Sequence, residues 1–199
     1  MKSAVFLDRD GVISEEVGYL SDVSQLQLIP EAAQAVHRLN VIGLKVIIIT
    51  NQSGVARGYF SESQVRDVHR ELEKMLSAQR AHIDAIYYCP HYPEGTVEQY
   101  RRECDCRKPS PGMLAQAADE HGIDLTQSYL VGDKLTDVEC AQRAGTRGIL
   151  VLTGYGKDEE KKINGASSAK PVFIAQNLLE AAQWIIEDYS GGTRGDTDH

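Results

Sequence analysis

Two aspartates one residue apart, Asp8 and Asp10, form the arrangement near the start of the chain that could do chemistry. They follow a short apolar run, and alternate residues of an extended chain point to the same side. We therefore expect both carboxylates to face one site and Arg9 to face away. Adjacent carboxylates stay ionised together only beside a cation; otherwise one of them keeps a proton. The pair thus predicts a magnesium clamp or a nucleophile beside a general acid, with a solvated Asp-Gly turn as the alternative.

Further polar residues follow other predicted strands or precede a helix. They are Thr50 and Asn51 after the second strand, Arg107 and Lys108 before a helix, and Asp133 and Asp137 after the fourth strand. Acids of this kind hold a magnesium ion, which prefers oxygen ligands, and a lysine neutralises a phosphate. One aspartate can then attack phosphorus while the other moves the proton of the leaving oxygen. The set predicts phosphoryl transfer, with Thr50 and Asn51 donating to the phosphoryl oxygens.

A second group of residues has the spacing of a metal site. It comprises Cys89, His91, Cys104 and Cys106, and the remaining cysteine, Cys140, lies apart. Three thiolates and an imidazole complete a tetrahedral zinc ion and leave no position open for water. The loop between the two ligand pairs lacks apolar residues with which to fold on its own. We therefore predict structural zinc that fixes the segment carrying Arg107 and Lys108.

The elements that must position these residues alternate along the chain. Apolar runs predict strands at 3–7, 45–49, 85–89, 129–131, 148–152 and 172–174. Helical periodicity predicts helices at 31–40, 62–80, 113–121, 135–144 and 178–188, with Ser61 and Gln64 as a capping box before the second. The segment 11–28 is expected to be a loop or small flap, and 153–171 a mobile polar loop.

This alternation predicts one three-layer, Rossmann-like α/β domain over 1–189, with a mainly parallel sheet, no large cap domain and a zinc-stapled loop. In such sheets, ligands bind beyond the carboxyl ends of the strands. The segment 190–199 has no apolar anchor, so we expect a disordered tail.

Bulk properties narrow the class of partner. The chain has 199 residues and a net charge of −8, which disfavours a broad nucleic-acid surface. The apolar run at the start is too short for a signal peptide or a membrane span. A cytoplasmic protein, monomeric by default, that binds a small molecule is expected.

The motifs resemble those of the haloacid dehalogenase superfamily of phosphatases, in order and spacing, over nearly the whole chain. They are Asp8-x-Asp10-Gly11, Thr50, Lys108 and Gly132-Asp133-x-x-x-Asp137. The resemblance implies Asp8 as nucleophile and Asp10 as acid/base. It also implies magnesium held by the Asp8 side chain, the Asp10 backbone oxygen and Asp133, with Asp137 behind them. Val12 stands where many members have threonine.

Within that superfamily, the zinc loop and the stretch 50–58 are similar to those of the phosphatases of heptose bisphosphates. This resemblance implies substrate contacts from Glu16, Val17, Gly18, Tyr19, Thr50, Asn51, Gln52, Ser53, Arg107, Lys108 and Lys134. Arg57, Arg107 and Lys134 are candidate cations for the phosphate that is not cleaved. Histidinol-phosphate phosphatases, which have similar aspartates and zinc ligands, or other small sugar-phosphate phosphatases are the alternative. A phospho-accepting receiver domain and a zinc-stapled binding module are more distant alternatives.

Overall fold

The computed structural model describes residues 2–163 and 169–192, which form one parallel sheet flanked by helices. The strands are β1 (Ala4–Leu7), β2 (Lys45–Asn51), β3 (Ala85–Cys89), β4 (Tyr129–Gly132), β5 (Arg147–Val151) and β6 (Phe173–Ala175). The helices are α1 (Ala32–Val41), α2 (Glu62–Ser77), α3 (Gly112–His121), α4 (Leu135–Ala144), α5 (Gly156–Ile163) and α6 (Leu178–Gly192). The predicted three-layer fold is confirmed.

The strand order creates a switch point beside β1. The order is β3-β2-β1-β4-β5-β6, and each neighbouring pair is parallel. The chain moves outward from β1 through β2 to β3, and then returns to place β4 on the other side of β1. Ligands of open parallel sheets bind at such a reversal. Asp8, directly after β1, and Asp133, directly after β4, are therefore brought together.

Both faces of the central strands are buried, as their continuous apolar runs predict. Val5 and Leu7 of β1 pack with residues of α1, α2 and α6, whereas Ala4 and Phe6 pack with residues of α3 and α4. All four side chains are completely buried. The core thus lies on both sides of β1 and holds the strand end rigidly.

Local signals set the helix ends. The capping box of Ser61 and Gln64 at the start of α2 is present, with reciprocal side-chain and backbone hydrogen bonds. Helices α3 and α4 end at Gly122 and Gly145, both in the left-handed conformation that glycine adopts without steric cost.

The stretch predicted as a loop over 153–171 is instead partly helical, because α5 occupies Gly156–Ile163. Lys161 pairs with Asp158 and Lys162 pairs with Glu159, one turn apart. Glu159 also accepts a hydrogen bond of 3.1 Å from the Leu135 amide at the start of α4. The helix is supported by these polar contacts, and its sequence has no apolar periodicity from which a helix could be predicted. Residues 164–168 of the predicted mobile loop lie outside the described residues.

The last helix runs to Gly192, so the boundary of the predicted tail at residue 190 is too early. Residues 193–199 of that tail lie outside the described residues. Within the described residues, 2–163 and 169–192, no helix is long and apolar enough to cross a membrane.

Candidate active site

A cavity of about 380 Å³ opens where the strands of the switch point end. Most of the predicted site residues line it: Asp8, Asp10, Glu16, Gly18, Tyr19, Thr50, Asn51, Gln52, Ser53, Arg107, Lys108, Lys134 and Asp137. Val17 does not line the cavity and is 46% exposed, while Asp133 is completely buried and is not part of the cavity wall. The fold therefore gathers at one place residues that are far apart in the sequence.

Lys108 is the buried cation of this site. Its ammonium lies 3.1 Å from Asp8 Oδ2 and 2.6 Å from Asp137 Oδ1, and it donates to the Ile49 carbonyl at 2.9 Å. Burial alone would lower the pKa of Lys108, but the carboxylates of Asp137 and Asp8 outweigh burial and raise the pKa above its ordinary value. The lysine is therefore a permanent positive charge beside Asp8.

Asn51 holds the backbone that carries this lysine. Its Nδ2 donates to the Lys108 carbonyl, and its Oδ1 accepts from the Lys108 amide, both at 3.1 Å. This paired contact joins the end of β2 to the segment before α3. The sequence predicted Asn51 as a phosphate contact, but the reciprocal amide pairing depends on the tertiary structure alone.

Asp133 lies buried beside the cavity, next to two other acids. The carboxylate oxygens of Asp8, Asp133 and Asp137 lie within 4.8 Å of one another. Asp133 Oδ2 accepts from the Tyr155 amide at 2.9 Å, whereas the buried Oδ1 has no hydrogen-bond partner. Burial, with the Asp8 charge adding to it, raises the pKa of Asp133 to about 7. This oxygen has only the Lys134 ammonium, 3.7 Å away, as a charged partner, and a hard cation among these acids would favour the ionised form.

Two glycines make room for the Asp133 carboxylate. A Cβ atom on Gly11 would lie 2.2 Å from Asp133 Oδ2, and one on Gly154 would lie 2.3 Å from it. Gly11 also has a positive φ of 78°, which disfavours other residues. The sequence motif includes Gly11 but not Gly154, whose role depends on β5 pairing with β4, the strand that Asp133 follows. Thr153 adds a 2.6 Å hydrogen bond to the Gly11 carbonyl.

Arg9 does not line the cavity, but its side chain turns back to the Asp10 carboxylate instead of pointing away from it. The Arg9 side chain is completely buried, and its guanidinium donates back to the Asp10 carboxylate. Gln52 Nε2 also contacts this region, at 3.2 Å from Asp10 Oδ2 and 2.9 Å from Thr50 Oγ1. The sequence missed this buried network because the residue between two alternating side chains normally points to the opposite face.

Ion pairs and rings surround the mouth of the cavity. Lys134 Nζ lies 3.2 Å from Glu16 Oε2 and 4.5 Å from the centre of the Tyr155 ring. Burial would lower the pKa of Lys134, but the charges of Asp133, Asp8 and Glu16 raise it. The rings of Tyr19 and Tyr59 meet edge to face with centroids 4.7 Å apart. Contacts with Lys134 and Tyr59 thus join the predicted flap to the rest of the site.

Two arginines share one aromatic ring next to the cavity. The guanidinium carbon of Arg57 lies 3.9 Å from the centre of the Tyr92 ring, and that of Arg107 lies 5.0 Å from it. Arg107 lines the cavity and also donates to the His91 carbonyl at 3.3 Å, whereas Arg57 is not part of the cavity wall.

The predicted zinc ligands converge beside this ring. The ligand atoms of Cys89, His91, Cys104 and Cys106 lie within 4.8 Å of one another, and all four cysteines of the chain are free of disulfides. His91 directs Nδ1 at the Cys106 sulfur, 3.3 Å away. Burial raises the pKa of the Cys89 thiol. A cluster of one buried thiol, two half-buried thiols and one imidazole suits a metal ion that would stabilise the thiolates.

Comparisons with known proteins agree with this geometry. A family model described as HAD-hydrolase-like matches residues 105–181. A D-glycero-D-manno-heptose-1,7-bisphosphate 7-phosphatase of Thermosynechococcus vestitus is 45% identical, with 92% of this chain and 95% of the relative covered. The D-glycero-beta-D-manno-heptose-1,7-bisphosphate 7-phosphatase of Escherichia coli K12 is 44% identical, with 92% and 87% covered.

The chain belongs to the heptose-bisphosphate phosphatase family. This membership makes it a phosphatase of the haloacid dehalogenase type, as the motifs indicated. A crystal structure of a D,D-heptose 1,7-bisphosphate phosphatase from B. bronchiseptica, complexed with magnesium and phosphate, superposes with a TM-score of 0.83 at 31% identity. The match covers 94% of this chain and 99% of that one. The family fold therefore extends over nearly the whole chain.

Proposed function

We propose that the enzyme removes the 7-phosphate of D-glycero-D-manno-heptose 1,7-bisphosphate through an aspartyl-phosphate. The observation that carries the proposal is the placement of Asp8 and Asp10 on one cavity, with the buried Lys108 ammonium 3.1 Å from Asp8. The names of relatives at 44–45% identity support the choice of substrate. The cytoplasmic location and the monomeric state stay predictions from the sequence.

In the first step, an Asp8 carboxylate oxygen attacks phosphorus and the bond between phosphorus and the sugar oxygen breaks. Asp10 gives its proton to that leaving oxygen, so the sugar departs as an alcohol. In the second step, water attacks the phosphorus of the aspartyl-phosphate, Asp10 takes a proton from the water, and Asp8 is released. Lys108 offsets the negative charge that builds up as the anionic phosphate meets the anionic carboxylate.

Asp8, Asp133 and the backbone oxygen of Asp10 are the residues that we propose to hold Mg²⁺. Bound there, the ion would supply neutralisation of the phosphate charge. The buried Oδ1 of Asp133, which accepts no hydrogen bond, supports this assignment. Asp137 is in contact with the Lys108 ammonium, which suits a role in fixing the lysine rather than in binding the metal.

The phosphate that is not cleaved needs cations away from Asp8. Arg107 fits this need because it lines the cavity and its guanidinium is held over the Tyr92 ring. We assign the sugar hydroxyls to the flap around Gly18 and Tyr19 and to Ser53, which also lines the cavity. The Cys/His cluster would bind zinc with a structural role, because all four positions of a tetrahedral ion are filled by protein.

The test is turnover of the heptose 1,7-bisphosphate beside histidinol phosphate with Mg²⁺ present. We expect release of one phosphate from the sugar, with a kcat/KM at least about 100-fold above that for histidinol phosphate. Asp8→Asn should abolish turnover while the fold is kept. Asp10→Asn should retain some aspartyl-phosphate formation when the leaving group is good. Preferred turnover of histidinol phosphate would overturn the substrate, and full activity of the Asp8→Asn variant would overturn the mechanism.

A further inference from the structure

Arg9 is the largest side chain that is fully buried in the described part of the chain. A buried guanidinium is costly unless its charge and its donors are satisfied. Arg9 Nε donates to Asp10 Oδ1 at 2.9 Å, and Nη2 donates to Asp10 Oδ2 at 2.7 Å. This is a two-bond fork, in which the planes of the guanidinium and the carboxylate constrain each other. Rotation of the Asp10 carboxylate is therefore limited by a side chain that cannot itself move into solvent.

The third corner of the guanidinium is held by helix α2. Arg9 Nη1 lies 3.2 Å from His69 Nε2, and His69 is itself buried. Arginine can only donate, so Nε2 must accept and the imidazole proton must lie on Nδ1. Burial, and then the Arg9 charge, lower the pKa of His69 to about 3, which keeps the ring neutral and able to accept. His69 therefore anchors the fork from behind.

Weaker contacts hold Asp10 from its other side. Gln52 Nε2 lies 3.2 Å from Oδ2, and Ser14 Oγ lies 3.4 Å from Oδ1. These two distances are longer than those of the fork, so these contacts constrain the Asp10 carboxylate less than Arg9 does. The Asp10 side chain remains 18% exposed at the cavity, whereas that of Arg9 is 1% exposed. A substrate can thus reach the carboxylate but not the guanidinium.

We propose that Arg9, backed by His69, is a positioning residue that aims the Asp10 carboxylate at the leaving-group oxygen. This inference rests on the proposed function, because it assumes that Asp10 is the proton donor. The effect of losing the fork should depend on the leaving group. Loss of the fork should slow breakage of the phosphorus–oxygen bond when the departing oxygen must be protonated. It should matter little when 4-nitrophenolate departs, since that anion leaves without a proton.

The experiment measures the rate of aspartyl-phosphate formation in single turnovers, by rapid quench, with phenyl phosphate and with 4-nitrophenyl phosphate. Arg9→Lys keeps a positive charge but cannot form the two-bond fork. We expect it to slow the reaction of phenyl phosphate by about 10-fold or more and that of 4-nitrophenyl phosphate by less than about 3-fold. Arg70→Lys, next to His69 but exposed, should leave both rates unchanged.

The Asp10→Asn variant distinguishes a failure of the proton-donor role of Asp10 from a failure of the positioning role of Arg9. If this variant shows no preference for the good leaving group, the proton-donor role in the proposed function fails. If it shows that preference and Arg9→Lys slows both substrates equally or neither, the positioning role fails while the proposed function stands. Should Arg9→Lys not fold, His69→Phe provides the decision, because it removes the anchor and keeps the fork. A selective loss with phenyl phosphate supports the proposal, and an equal loss or no loss overturns it.

Discussion

At the residue scale, Lys108 shows how one side chain serves both stability and chemistry. It forms ion pairs with both Asp8 and Asp137 inside the protein, where unpaired charges are costly. Its position depends on the paired contact with Asn51, since the side chain reaches the acids only if its backbone is held at the end of β2. The residue is therefore sensitive to changes both in charge and in backbone placement.

We predict that Lys108→Gln lowers kcat by at least about 100-fold and the free energy of unfolding by about 2–4 kcal/mol. The reason for the second loss is that Asp137 is left buried without its cation. Phosphate release and denaturant unfolding measure the two effects. Adding Asp137→Asn should restore part of the stability but none of the activity. Lys74→Gln, an exposed control, should change stability by less than about 0.5 kcal/mol; an equal effect at both lysines would contradict the prediction.

At the element scale, the Cys/His cluster and the catalytic cations belong to one continuous segment. Cys106 directly precedes Arg107 and Lys108, and α3 begins at Gly112. Gly112 packs tightly on this segment, because a Cβ atom there would lie 2.4 Å from the Asp105 carbonyl oxygen. A change in the ligand cluster should therefore be transmitted to the position of Lys108.

We predict that Cys106→Ser lowers both the bound zinc and kcat, the latter by about 10-fold or more, because the backbone of Lys108 loosens. Metal analysis of the purified variant and phosphate release are the measurements. Cys140→Ala is the matched control: Cys140 is buried in α4 outside the cluster, so zinc content and kcat should stay near the parent values. Full activity of zinc-free protein would show that the cluster does not position Lys108.

At the scale of the whole molecule, the buried His69 links folding to pH. Its pKa is lowered from 6.5 to about 3 by burial and by Arg9, so the unfolded chain binds its proton more readily than the folded protein does. Stability from this group is complete above pH 6.5 and is lost as the pH falls from 6.5 towards 3. The net charge of −8 does not reverse this local effect, since burial dominates it.

We predict that lowering the pH from 7.5 to 5 costs the parent protein about 2 kcal/mol of unfolding free energy through His69 alone. Comparing denaturant unfolding of the parent and His69→Gln at both pH values isolates this contribution, because the other titrating groups are shared. The variant should lose less stability than the parent over this interval. His82→Gln, whose side chain is 65% exposed, is the control and should follow the parent. Parallel losses in His69→Gln and the parent would contradict the prediction.

The sequence by itself determined the strands whose carboxyl ends carry Asp8, Thr50 and Asp133, and hence the parallel fold and the common edge. These features follow from apolar runs and local turn signals, which act over a few residues. It also indicated the Cys/His cluster, because close spacing limits where such ligands can go. It failed for α5, whose helix is supported by polar pairs rather than by apolar periodicity.

Only the tertiary structure decided what the side chains contact. The contact of Arg9 with His69 and the room for Asp133 beside Gly154 each join residues that are distant in sequence, and the first of them holds the fork between the neighbours Arg9 and Asp10. No local pattern encodes such contacts, because they depend on how β1, β5 and α2 pack around one strand end. The sequence thus identifies the catalytic residues, and the buried residues that contact them orient their side chains.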